Sequence, residues 1–118
     1  MRPEDAIQRA VVQHLRARGA RDLVFWHTPN GGKRRRVEAA IFKGLGVRAG
    51  VADIVALHRG RFYALELKAP GGRPTESQIQ FLQDVNKAGG YSALCEGLDR
   101  ALSCLETWGL LRGQARAA

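Results

Sequence analysis

From Gly50 to Lys68 the apolar positions run almost unbroken, in two blocks separated by Arg59-Gly60-Arg61. Ile54-Val55-Ala56-Leu57 and Phe62-Tyr63-Ala64-Leu65 read as two strands of a hairpin, with Gly60 as the turn signal. A loop of two or four residues centred on Arg59-Gly60 sets Leu57 opposite Phe62, Val55 opposite Ala64 and Asp53 opposite Glu66. Directly opposed antiparallel residues point to one side with Cβ atoms about 4.5–5.5 Å apart. Lys68, two residues past Glu66, shares that side. One face thus reads Val55, Leu57, Phe62 and Ala64 and ends in Asp53, Glu66 and Lys68. The other reads Ile54, Ala56, Tyr63, Leu65 and Leu67. A hairpin apolar on both faces predicts the covered centre of a sheet.

Helical spacing elsewhere supplies the flanking elements. Residues 3–18 predict an amphipathic helix that opens at Pro3, a favoured first-turn residue. At about 100° per residue, Glu4, Gln8, Val11 and Leu15 fall in one stripe with Ile7 beside it, and Asp5, Arg9, Gln13 and Arg16 lie opposite. Asp22 to Thr28 predicts a strand, and Pro29-Asn30-Gly31-Gly32 a loop. A helix over 34–44 is expected to bury Val37, Ala40 and Ile41. A further helix over 76–88 is expected to turn Ile79, Leu82 and Val85 inward. A last strand at 91–95 and a helix at 99–108 presenting Leu102, Leu105 and Trp108 complete the series. The order α-β-α-β-β-α-β-α is that of an α/β domain with a mixed central sheet flanked by helices. A single domain over residues 1–111 is expected, with 112–118 as a flexible tail.

Length and charge narrow the possibilities. A chain of 118 residues makes one domain with a real core. No window approaches the roughly 18 apolar residues of a membrane span, and the charged N-terminus does not read as a signal peptide. Cys95 and Cys104 lack metal-site spacing and are expected to be reduced and structural, as in a cytoplasmic protein. The net charge of +8 points to a polyanionic partner, nucleic acid first among them. Lys33-Arg34-Arg35-Arg36 opens a helix against its own dipole. Anion binding by these side chains and the preceding glycine loop, Asn30 included, would offset that cost.

The candidate chemistry lies at the end of the hairpin. Two carboxylates side by side cannot both ionise cheaply, and a divalent cation removes the difficulty. Asp53, Glu66, the Leu67 backbone carbonyl and several waters form a hard-oxygen set suited to Mg²⁺, with Mn²⁺ as a substitute. Glu4 can be read as a third carboxylate aimed at the metal, or as an acid that merely favours a helix N-terminus. Gln78 likewise has two readings, because Thr75-Glu76-Ser77-Gln78 is a capping box that accounts for it structurally. Glu66 and Lys68 could form a same-face salt bridge without further function; exposed pairs of that kind contribute about 0–1 kcal/mol.

Asp53 followed by Glu66-Leu67-Lys68 resembles the D…(D/E)-x-K signature of the restriction-endonuclease-like superfamily. Its company narrows the resemblance. The Glu4…Gln8 helix, the Pro29-Asn30-Gly31-Gly32 loop, Gly50-Val51-Ala52-Asp53 and the segment Gly72 to Gln78 occur in the order of a VRR-NUC (virus-type replication-repair nuclease) domain. The resemblance covers roughly residues 4–95. Ala52 departs from the proline often found before the metal ligand, at a position that supplies no side-chain chemistry. The resemblance implies a restriction-endonuclease-like core and a metal-dependent DNA endonuclease. Asp53 and Glu66 would be its metal ligands and Lys68 would position the attacking water, with Glu4 a further metal-site residue and Gln78 a supporting one. It also implies a homodimer acting on branched DNA such as four-way junctions in replication and repair, although the sequence shows no contiguous apolar interface. The competing expectations are another nuclease of the superfamily, of flap, junction or restriction type, and a non-catalytic DNA-binding module on the same fold.

Overall fold

The computed structural model describes residues 2–29 and 36–113. Its elements run α1 (Pro3–Arg18), β1 (Val24–His27), α2 (Arg36–Gly44), β2 (Ile54–His58), β3 (Arg61–Lys68), α3 (Glu76–Lys87), β4 (Tyr91–Glu96) and α4 (Leu98–Thr107). The expected order is therefore the observed one. Four strands form one sheet in the order β1-β2-β3-β4. β2 runs antiparallel to its neighbours β1 and β3, and β4 joins β3 in parallel through the α3 crossover.

The hairpin register is the expected one, with Val55 opposite Ala64 and Leu57 opposite Phe62. Its loop is the two residues Arg59 and Gly60, both at positive φ (50° and 80°), as a twisted two-residue hairpin turn requires. The two apolar faces bury into two separate clusters. Ile54, Ala56, Tyr63, Leu65 and Leu67 pack with Val11 and Leu15 of α1 and with Ala101 and Leu105 of α4. Val55 and Ala64 pack with Ala52 and with Phe81 and Val85 of α3. Side-chain alternation in the strands thus puts α1 and α4 on one face and α3 on the other.

Three expectations are corrected. The apolar row of α2 is not buried: Val37 is 70% and Ile41 57% exposed, and no α2 residue is buried. α2 leaves the β1 edge of the sheet uncovered as well, with Val24 54%, Trp26 47% and Leu57 46% exposed. On α3 Val85 and Leu82 turn inward as expected and Phe81 joins them, whereas Ile79 is 42% exposed. The tail does not begin at Arg112. Leu110 and Leu111 are buried, Gly19 bridges to Leu111, and the Arg112 N–H donates to the Arg18 carbonyl at 2.8 Å. Residues 114–118 lie outside the described residues, as do Asn30, Lys33, Arg34 and Arg35. No described helix is long and apolar enough to cross a membrane.

Candidate active site

β2 begins directly after Asp53 and β3 ends at Lys68, so the hairpin delivers both to one end of the sheet. There the acids are braced by each other's backbone. The Leu67 N–H donates to Asp53 Oδ2 at 2.8 Å, and the Asp53 N–H donates to Glu66 Oε1 at 3.2 Å. In a strand, the N–H and C=O of one residue point to the same side. The Leu67 carbonyl therefore faces the Asp53 side, while the Lys68 carbonyl accepts from Gly97 N–H on the β4 side. Gly50 makes the approach to Asp53 possible. It has φ +80°, and a Cβ there would lie 2.3 Å from the Ser77 carbonyl carbon at the start of α3.

Glu66 is 1% exposed and Lys68 9%. Burial, followed by the neighbouring charge of Asp53, pushes the Glu66 carboxyl up from 4.5 to about 7, while Lys68 pulls it back. Lys68 Nζ stands between two carboxylates, 3.4 Å from Glu66 Oε2 and 3.5 Å from Glu4 Oε1. The N-terminal turns of α1 close the site. Arg2, Glu4, Asp5 and Gln8 line a cleft of about 280 Å³ together with His27, Pro29, Asp53, Glu66 and Lys68. Gln8, one turn past Glu4, has both amide atoms buried without a hydrogen-bond partner.

The structure thus brings Glu4, Asp53, Glu66 and Lys68 together. It does not bring in Gln78, whose Oε1 accepts from the Thr75 N–H at 2.9 Å while its own N–H donates to Thr75 Oγ1 at 3.2 Å. Both halves of the capping box are therefore in place. Arg36 is the first residue of α2 and is exposed. The other basic residues proposed to grip DNA, and Asn30, lie outside the described residues.

His27 lines the cleft, as do Arg2, Asp5 and Pro29, although none was a candidate site residue from the sequence. Its Nδ1 lies 2.7 Å from the Asp53 carbonyl oxygen, which also accepts the Thr28 N–H at 3.1 Å. A carbonyl can only accept, so Nδ1 carries the hydrogen in this contact. The signal for His27 was pairing rather than motif: β1 runs antiparallel to β2 with His27 opposite Ile54, beside Asp53. Nothing in the local sequence fixes that register.

The donor set suits a hard divalent cation. Two carboxylates are held together at an electrostatic cost registered in Glu66, and Mg²⁺ takes one or two carboxylates, with waters and phosphate oxygens filling the rest of its shell. Among the described residues no three carboxylate, imidazole or thiol groups converge to hold a metal. Asp53 and Glu66 are a pair, and Glu4 is engaged with Lys68.

The fold is similar to a solved structure described as a VRR_NUC domain protein, with a TM-score of 0.74 and 23% identity over 92% of this chain and 88% of that one. No curated protein matches the chain. The model of the VRR-NUC domain family matches residues 2–99. The order of its elements, the hairpin that pairs Asp53 with Glu66 and this match agree: the chain belongs to the VRR-NUC family, nucleases of the PD-(D/E)XK type.

Proposed function

We propose that this nuclease is a Mg²⁺-dependent DNA endonuclease that hydrolyses phosphodiester bonds in branched DNA, four-way junctions foremost, and works as a homodimer. The observation that carries the reading is the braced Asp53–Glu66 pair with the buried Lys68 ammonium at its side. Asp53, Glu66 and the Leu67 carbonyl would hold the cation, with Mn²⁺ able to substitute. When bound, the cation acidifies water and offsets charge on the scissile phosphate. Lys68 keeps the attacking oxygen oriented and opposes the negative charge on the non-bridging oxygens of the scissile phosphate. The backbone bonds from Leu67 and Asp53 hold both carboxylates in place before substrate arrives, so no reorganisation is needed at the moment of reaction.

The charge of +8 supports a nucleic-acid substrate, with Arg36 and the Asn30 and Lys33–Arg35 segment before it as phosphate contacts. The exposed apolar row of α2 supports a second copy as partner. The preference for branched DNA rests on the family resemblance and on the economy of one small module recognising two arms as a dimer.

The test is cleavage of labelled linear duplex, 5′ flap and four-way junction DNA with Mg²⁺, Mn²⁺ or EDTA, beside Asp53→Ala and Lys68→Ala. Metal-dependent cutting of the junction, lost in both variants, is the expected result. Preferred cutting of flaps or linear duplex would assign another nuclease activity. Salt-sensitive binding without cutting under any metal would assign a binding module.

A further inference from the structure

We infer that His27 is a positioning residue for Asp53, its ring fixing the main chain from which that carboxylate projects; the inference deepens the metal-dependent reading above and rests on it. Three observations carry it. The His27 Nδ1–H donates to the Asp53 carbonyl at 2.7 Å. Asp53 lies just before Ile54, the first residue of β2, so the paired register of the sheet does not itself include it. The His27 ring is exposed and lines the cleft, so core packing does not dictate its contact with Asp53.

The Asp53 main chain meets side chains at two points. Its N–H donates to Glu66 Oε1 at 3.2 Å, and its carbonyl accepts from His27. The first of these draws on a carboxylate that would itself take the cation. The second draws on a carbonyl and leaves both carboxylates to the cation. The Thr28 N–H shares that carbonyl at 3.1 Å, so the end of β1 clamps it with two donors from neighbouring residues. Two donors on one carbonyl fix the plane of the Asp53–Ile54 peptide, and with it the direction in which the Asp53 side chain leaves the chain. Partners of this kind, one step removed from the metal, set ligand orientation. The pairing explains how the ring reaches its place. His27 stands opposite Ile54, whose side chain packs in the cluster shared with α1 and α4. Opposed residues share a side, so His27 comes to the α1 side of the sheet and lines the cleft with Glu4 and Gln8.

The experiment compares full-length wild type with His27→Ala, His27→Asn and His27→Gln. It measures Mn²⁺ affinity by calorimetry, thermal midpoint, and kcat and KM on whichever of linear duplex, flap or junction DNA the wild type cuts fastest. The Asn side-chain nitrogen falls near the place of Nδ1, and the Gln nitrogen near that of Nε2. His27→Ala should bind Mn²⁺ about 10–100-fold more weakly and lose kcat with KM held. Its thermal midpoint should stay within about 5 °C of wild type, because an exposed ring leaves no cavity behind. His27→Asn should restore Mn²⁺ affinity and kcat, and His27→Gln should behave like His27→Ala. Unchanged Mn²⁺ affinity and kcat in His27→Ala would overturn the inference. So would rescue by Gln and not by Asn, which would make Nε2 the working atom. A midpoint for His27→Ala more than about 10 °C below wild type would reduce the bond to support of the fold and overturn it too. A wild-type chain that neither binds Mn²⁺ nor cuts DNA would instead remove the functional reading itself, and the inference with it.

Discussion

Glu66 carries the strongest electrostatic burden among the acids of the cleft, and its burial converts directly into a dependence on pH. The unfolded chain releases this proton near 4.5, whereas the folded chain holds it to about 7. Between those values the native state binds more protons than the unfolded one, so stability falls as pH rises. In the metal-free protein the Glu66 contribution should decline by about 3 kcal/mol from pH 4.5 to above 7. Mg²⁺ favours the ionised carboxylate, so the metal-induced gain in thermal midpoint should grow between pH 5 and 8. Thermal melts across that range with Mg²⁺ or EDTA check this; a metal effect independent of pH would place the cation away from Glu66.

The start of α3 is where an element, rather than a single side chain, supports the site. Thr75 and Gln78 close a reciprocal cap, and Gly50 lets the chain leading into Asp53 press against Ser77. Gly50→Ala adds a side chain at positive φ and into backbone, which should cost roughly 1–3 kcal/mol and shift the segment that delivers Asp53. Loss of both stability and cleavage is therefore expected. Gln78→Ala removes one cap bond, so the expected cost is about 1 kcal/mol with cleavage unchanged well below the melting temperature. A more than tenfold loss of cleavage in fully folded Gln78→Ala would restore to Gln78 the supporting catalytic role that the family resemblance implies.

Among the described residues the molecule is a four-strand sheet with helices on both faces and one helix, α2, that buries none of its residues. Val37, Ile41 and Leu45 of the α2 region are 70%, 57% and 76% exposed, an apolar row of the kind that marks an association surface. Light scattering after gel filtration is expected to show a dimer for wild type and a monomer for Ile41→Glu, with the melting temperature little changed because Ile41 has no core to leave. A dimer that persists in Ile41→Glu would move the interface elsewhere.

The periodicity of the chain by itself determined the element order, because alternation within Ile54–Leu57 and Phe62–Lys68 and the helical stripes of α1 and α4 are local signals. The Asp53–Glu66 pairing followed from the sequence only for a loop of two or four residues centred on Arg59-Gly60, and the structure has the two-residue loop. Tertiary structure decided what depends on neighbours distant in sequence. An amphipathic stripe tells which side of a helix is apolar but not whether a partner exists, and the apolar row of α2 stays exposed in the fold. His27 entered the cleft through the β1–β2 pairing, whose connecting segment is too long for its sequence to set a register. Gln78 has a hydrogen-bonding group suited to a site or to a cap, and the backbone geometry at Thr75 gave it the cap. Glu4 lay on the core-facing stripe from the outset, and the end of β3 set the Lys68 ammonium 3.5 Å from it.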